Sequence, residues 1–204
     1  MKITKKSLDT LRNISHTMFG KTFHHHYHIL LDIASSYKKK EKINYLEIGC
    51  YAGASACLML QRPNTSVISI DLGYPISEKV VYQNIEKFNT HKNEYRYIRG
   101  NSNDQTILKE VTDFKVDILF IDGDHSYSAV KNDFINYSSL VVSGGYIVFD
   151  DYHDSQHSPE VHKAVNDIVS EVKDQYDIIG TFKNEFAARP ENLLDGNCFV
   201  MRKL

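Results

Sequence analysis

Asn44-Tyr45-Leu46-Glu47-Ile48-Gly49-Cys50-Tyr51-Ala52-Gly53 is the stretch on which the fold turns. Asn44 to Ile48 reads as a short buried strand, two glycines bracket a turn, and Ala54 to Gln61 continues with helical periodicity. A loop leaving the carboxyl end of a parallel strand must turn tightly and let a ligand approach the backbone. Glycine, lacking Cβ, obstructs neither, so Gly49 and Gly53 are candidates for the floor of a cofactor cleft.

The same alternation continues outward. Ser66 to Ile70, Tyr95 to Arg99, Val116 to Ile121 and Tyr146 to Phe149 are further apolar strand candidates. Helices fit over Ser77 to Asn89, Asp104 to Val111, Tyr127 to Leu140 and Pro159 to Lys173. Strands near Tyr176 to Phe182 and Asn197 to Arg202 would close the far edge, with Arg189 to Gly196 as a hairpin loop and Gly144-Gly145 as a turn before the fifth strand. Upstream, Tyr27, Ile29, Leu30, Leu31, Ile33 and Ala34 suit a helix ending at Lys38-Lys39-Lys40, whose charges complement a helix carboxyl end. The predicted architecture is α/β: a Rossmann-like, doubly wound, mostly parallel seven-stranded sheet with helices on both faces. It forms one domain over residues 1–204, with residues 1–42 as an N-terminal helical cap and residues 43–204 as the core.

Composition narrows the function. With 42% hydrophobic and 25% charged residues among 204, the chain is ordinary globular protein. Lys and Arg number 24 against 26 Asp and Glu, so no whole-chain field recruits nucleic acid or a membrane surface. Cys50, Cys57 and Cys198 are too few and too scattered for a disulfide framework. No apolar run is long enough for a signal peptide or a span. The expectation is a cytoplasmic protein acting on a small molecule or glycan, without nucleic-acid or membrane partners.

The second strand ends at Asp71, where an acidic side chain can accept hydrogen bonds from ribose hydroxyls. Asn101 and Ser102, after the third strand, are candidates to border an adenine ring. A dinucleotide loop would read G-x-G-x-x-G, but the spacing here is G-x-x-x-G. The fourth and fifth strands both run into acids: Asp122-Gly123-Asp124-His125 and Asp150-Asp151. Carboxylates converging at one sheet mouth raise one another's pKa unless a cation is shared. Oxygen-rich ligation suits Mg²⁺, with Mn²⁺ or Ca²⁺ as substitutes, and His125 and His153 leave a transition metal open. A blander account has Asp124 or Ser126 capping the helix from Tyr127.

Glu47-Ile48-Gly49-Cys50-Tyr51-Ala52-Gly53, with Asp71 in register, resembles the first motif of class I S-adenosylmethionine-dependent methyltransferases. The acidic segments resemble metal-dependent O-methyltransferases, in particular the family that includes macrocin O-methyltransferase and cephalosporin-hydroxylase-like proteins; that likeness spans residue 43 to about 155. It implies S-adenosyl-L-methionine as cofactor, with Glu47, Gly49, Tyr51, Gly53, Asp71, Asn101, Ser102 and Asp122 as its binding set. It also implies Asp122, Asp150 and Asp151 as metal ligands, with Asp124 at the general-base position and His125 as the rival base. The acceptor implied is a sugar or other small-molecule hydroxyl, and the assembly a homodimer or larger. Two readings compete: a NAD- or nucleotide-sugar-binding oxidoreductase and a non-catalytic cofactor-binding module. The tract His24-His25-His26-Tyr27-His28 reads as an exposed helix face, because successive helical residues point about 100° apart and cannot share one ion. With Thr22 or Phe19, one of these histidines could instead lid the cleft. His153 is a candidate neighbour of the metal ligands, and Tyr51, Tyr127 and Tyr152 are candidate acceptor contacts. His157 and His162 read as solvated.

Overall fold

The computed structural model describes residues 4–20, 24–181 and 198–204. The architecture is the Rossmann-like one expected: a mostly parallel, seven-stranded sheet, with seven α-helices among the described residues. The chain divides into two compact units, Met1–Asn101 and Ser102–Leu204.

In the first unit, helices α1 (Lys5–Thr17) and α2 (His28–Ala34) precede β1 (Ile43–Ile48), α3 (Ala54–Met59), β2 (Thr65–Asp71), α4 (Glu78–Phe88) and β3 (Glu94–Arg99). The strands lie in the order β3-β2-β1, all parallel, with Ile43 opposite Thr65 and Ser66 opposite Glu94. Strand β2 is buried over six consecutive residues, as a strand covered on both faces should be. Helix α1 exists because Leu8, Leu11 and Ile14 form a stripe at three-residue spacing, all at most 1% exposed, and because the Thr4 hydroxyl accepts from Ser7 N–H as its N-cap. Helix α2 stops well before the lysine run. Ser35 and Ser36 turn their hydroxyls back onto the carbonyls of Leu31 and Ile33, so the helix end is satisfied there.

The second unit holds α5 (Gln105–Val111), β4 (Val116–Ile121), α6 (Tyr127–Tyr137), β5 (Val141–Phe149), α7 (Val161–Val172), β6 (Tyr176–Thr181) and β7 (Phe199–Lys203). Its strand order is β4-β5-β7-β6; β4 and β5 are parallel, and β7 is antiparallel to both neighbours. The expected turn at Gly144-Gly145 is instead a bulge inside β5. Pairing passes from Val116↔Val141 to Ile118↔Tyr146, so β5 advances five residues while β4 advances two. Gly144 sits at φ +80°, and a Cβ on Gly145 would lie 2.9 Å from the Val142 carbonyl oxygen and 3.0 Å from that of Asp117. Only glycine fits such a kink. Phe182 and the expected hairpin loop at residues 189–196 lie outside the described residues. No helix among the described residues is long and apolar enough to cross a membrane. Cys50, Cys57 and Cys198 are buried free thiols.

Candidate functional site

The loop from β1 to α3 is built on left-handed backbone: Gly49 at φ +82°, Tyr51 at +48° and Gly53 at +83°. Gly53 N–H closes the turn on the Cys50 carbonyl at 2.6 Å, and a Cβ there would sit 3.2 Å from Val81 Cγ1. Both glycines singled out in the sequence are therefore structural necessities of the loop. Tyr51 projects from it, 45% exposed.

Asp71, at the tip of β2, holds that loop in place. One carboxylate oxygen accepts from the N–H groups of Cys50 and Tyr51 at 2.8 and 3.0 Å; the other accepts from Gly73 N–H at 2.7 Å and the Tyr97 hydroxyl at 3.3 Å. A ribose would bind by exchanging for one of these donors, since a carboxylate accepts about four. Glu47 is fully buried and accepts from the hydroxyls of Tyr45 (2.8 Å), Ser55 (2.6 Å) and Ser69 (2.6 Å), so it ties β1 to α3 and β2. Asn101 is exposed at the end of this unit.

A residue that pattern reading passes over completes the loop. Asn84, fully buried on α4, accepts from Phe19 N–H and donates to the carbonyls of Phe19 and Ala52. Gly20, at φ +77°, lies so close that a Cβ there would be 3.0 Å from Ala52 Cβ. The segment after α1 is thus strapped onto the glycine loop and leaves Phe19 56% exposed beside it. The histidine tract departs from its reading. His25–Tyr27 form a 3-10 turn, His26 and His28 are buried, and His24 stacks on Tyr27 at 4.9 Å, so His26 and His28 do not lie on an exposed helix face.

In the second unit, Asp122 and Asp150 follow β4 and β5, where Asp150 N–H bonds the Ile121 carbonyl. Ligand atoms of Asp122, His125 and Asp150 all lie within 4.8 Å of one another. Burial, with the Asp150 charge beside it, pushes Asp122 up to about 7; burial, with Asp151 nearby, pushes Asp150 up to about 7 as well. Burial alone would depress His125, but its close contact with Asp122 and the charges of Asp122, Asp150 and Asp151 outweigh that and lift it to about 9. His125 Nε2 is 3.4 Å from Asp122 Oδ1. A buried carboxylate, a partly buried one and an imidazole nitrogen facing one another are a donor set that fits a divalent cation.

Asp151, at φ +52°, lies beside this trio with Oδ2 3.6 Å from His125 Nδ1, and accepts from the Ser158 hydroxyl at 3.1 Å; that same hydroxyl is 2.8 Å from His125 Nδ1. Asp124 is exposed, and its carboxylate accepts from Ser126 N–H at 2.9 Å, while the Ser126 hydroxyl caps α6 by accepting from Ala129 N–H. Ser102 donates to Asp133 at 2.6 Å. The Tyr127 hydroxyl is taken by Asp167, and Tyr152 by Asn166. His153 packs on the Tyr152 and His162 rings, and exposed His157 pairs with Asp154.

Comparison with known proteins gives these features a context. A family model described as a methyltransferase domain matches residues 46–152, which include the glycine loop, Asp71 and the acids after β4 and β5. An uncharacterized protein of Acanthamoeba polyphaga mimivirus is 40% identical over 181 residues, covering 84% of this chain and 81% of its own. Among solved structures, the S-adenosylhomocysteine complex of an O-methyltransferase from Bacillus cereus is 16% identical, covers 98% of this chain and 92% of its own, and superposes with a TM-score of 0.64. The S-adenosylhomocysteine-bound methyltransferase PaMTH1 of Podospora anserina is 15% identical, covers 98% and 89%, and has a TM-score of 0.65. The structural matches share the fold, and the family model, spanning more than half of the sequence, supplies the identity: the chain belongs to the methyltransferase-domain family and is a methyltransferase of the class I, Rossmann-like fold.

Proposed function

We propose that this methyltransferase transfers the methyl group of S-adenosylmethionine to a hydroxyl oxygen, with help from a divalent cation held by Asp122 and Asp150 and with His125 beside it as the base, and that Mg²⁺ or Mn²⁺ fills that role. The observation carrying the reading is the meeting of Asp122, His125 and Asp150 ligand atoms within 4.8 Å after adjacent parallel strands, in a chain of this family. Burial and mutual repulsion raise both carboxyls, a cost that a shared cation would relieve. When bound, the cofactor supplies an electrophilic sulfonium methyl, and the cation would lower the pKa of a hydroxyl.

The remaining work belongs to side chains. The glycine loop and Asp71 bind the cofactor. Gly49 and Gly53 leave backbone exposed, while the Asp71 carboxylate exchanges its weakest partner, the Tyr97 hydroxyl at 3.3 Å, for a ribose hydroxyl. His125 accepts the acceptor's proton at Nε2. Asp124 is the poorer base because its carboxylate is engaged with the Ser126 amide and points into solvent rather than at the Asp122–Asp150 pair. The favoured acceptor is a sugar or glycan hydroxyl, a reading supported by the likeness of residues 43–155 to sugar-methylating families. Cytoplasmic location and a homo-oligomeric state belong to the same proposal.

Calorimetry with S-adenosylmethionine, S-adenosylhomocysteine and NAD tests the cofactor: binding of NAD alone refutes it. Labelled-methyl transfer to a panel of nucleotide sugars, glycans and catechols, with and without chelator, tests acceptor and cation together. Full transfer by an Asp150→Ala/Asp151→Ala double variant would remove the cation from the reading.

A further inference from the structure

Ser158, between β5 and α7, is 2% exposed and touches two ionisable groups at once. Its Oγ lies 2.8 Å from His125 Nδ1 and 3.1 Å from Asp151 Oδ2. A hydroxyl has one proton to give, and an ionised carboxylate can only accept. The proton therefore goes to Asp151, the Ser158 oxygen presents a lone pair to the imidazole, and Nδ1 must be the donor. The reverse arrangement, with the hydroxyl proton aimed at Nδ1, sets two acceptor oxygens against each other at 3.1 Å. Nδ1 also stands 3.6 Å from that same Asp151 oxygen, which favours a proton on it again. Once Nδ1 is committed, the ring's other nitrogen follows. Nε2, 3.4 Å from Asp122 Oδ1, is the atom at which the neutral ring carries its lone pair.

The contact is pinned from both sides. Tyr127 N–H, two residues past His125, donates to the Glu160 carboxylate at 2.6 Å, two residues past Ser158. Ser158 N–H bonds the Asp154 carbonyl at 3.1 Å, and the Ser158 carbonyl accepts from Val161 N–H at 3.2 Å. Neither loop can drift without breaking these bonds.

We propose that Ser158 is a positioning residue that relays the charge of Asp151 to His125 Nδ1–H and thereby dedicates Nε2 to the Asp122–Asp150 side, as ligand atom or as base. Such outer partners of a working histidine set its tautomer and ring orientation. The inference deepens the reading in which His125 acts through Nε2, yet it concerns a proton that can be located without turnover.

The test uses the full chain with ¹⁵N-labelled histidine and long-range ¹H–¹⁵N spectra, His125 being assigned by loss of its signals in His125→Gln. Spectra of metal-free protein from about pH 6 to about pH 10 span both forms of the ring. Nδ1 is expected to keep its proton throughout, and Nε2 to be the nitrogen that lacks one in the neutral ring. Ser158→Ala should turn that single form into a mixture, and Ser158→Thr, which keeps the hydroxyl, should restore it. Calorimetry with Mn²⁺ alone should show roughly 10-fold weaker binding for Ser158→Ala and near wild-type binding for Ser158→Thr. An Nε2-protonated neutral ring in the wild type overturns the inference even if Ser158→Ala fails to fold. So does an unchanged tautomer in a folded Ser158→Ala. Absence of Mn²⁺ binding by the wild type, with Nδ1 protonated, refutes the cation reading and supports the positioning role.

Discussion

Replacing Asp133 by asparagine should stabilise the protein at neutral pH and leave it unchanged in acid. Asp133 on α6 is 1% exposed, and its carboxylate accepts from the Ser102 hydroxyl at 2.6 Å. Burial, only partly offset by that hydrogen bond, pushes its pKa up to about 6, with the Asp124 charge adding to the rise. In the unfolded chain an aspartate titrates near ~3.9. The folded value is the higher one, so the native state holds the extra proton between about pH 4 and about pH 6, and stability falls as pH rises through that window. Above it the full cost applies. A shift of about 2 units at ~1.4 kcal/mol each amounts to a penalty on the order of 3 kcal/mol at neutral pH. Asparagine keeps the shape and an acceptor for Ser102 but has no charge to desolvate. Urea unfolding of both proteins at about pH 4.5 and about pH 7.5 gives the assay, because titration of other groups cancels in the difference between variant and parent. That difference should grow by about 2 kcal/mol from the acid to the neutral measurement. A difference equal at the two pH values, or larger in acid, would refute the reasoning.

Gly53→Ala should lower the melting temperature and weaken S-adenosylhomocysteine binding in calorimetry, because the new methyl meets Val81 at 3.2 Å and a φ of +83° costs an L-residue roughly 1–2 kcal/mol. Glu47→Leu strands the hydroxyls of Tyr45, Ser55 and Ser69; denaturant unfolding should show a loss of about 3 kcal/mol or more. Asn84→Ala releases Phe19 and Ala52 from their shared amide, and hydrogen exchange at residues 18–20 and 50–53 should quicken together; faster exchange in only one segment would deny the strap. Asp150→Asn should bring the Asp122 carboxyl down from about 7, visible in ¹³C-detected titration, since the Asp150 charge contributes to its rise.

The sheet was readable because β1, β2 and β4 must be apolar on both faces, so Tyr45, Leu46, Val67, Ile68, Leu119 and Phe120 stand as unbroken runs. Helix α1 was hidden by its own polarity, since it buries Leu8, Leu11 and Ile14 beside two serines, Ser7 and Ser15. The glycine loop was legible because positive φ selects glycine at Gly49 and Gly53. Asp124 and His125 could not be separated by spacing, as both follow β4 within four residues; what distinguishes them is that the Ser126 amide claims exposed Asp124 while His125 turns to Asp122 and Ser158. Ser158 left no mark at all. A lone serine before a proline carries no pattern, and its partner His125 is 33 residues away in sequence. Contacts that depend on how two loops are brought face to face leave no periodicity to read.

The kink at Gly144-Gly145 works as a length adjuster. By taking up surplus chain upstream, it brings Phe149 opposite Ile121, so the two acids that follow, Asp150 and Asp122, emerge side by side. Removing a single residue there would draw Asp150 back by about 3.3 Å and flip it to the opposite surface. A pair of residues with no side chains, remote from any chemistry, therefore decides whether two carboxylates can meet.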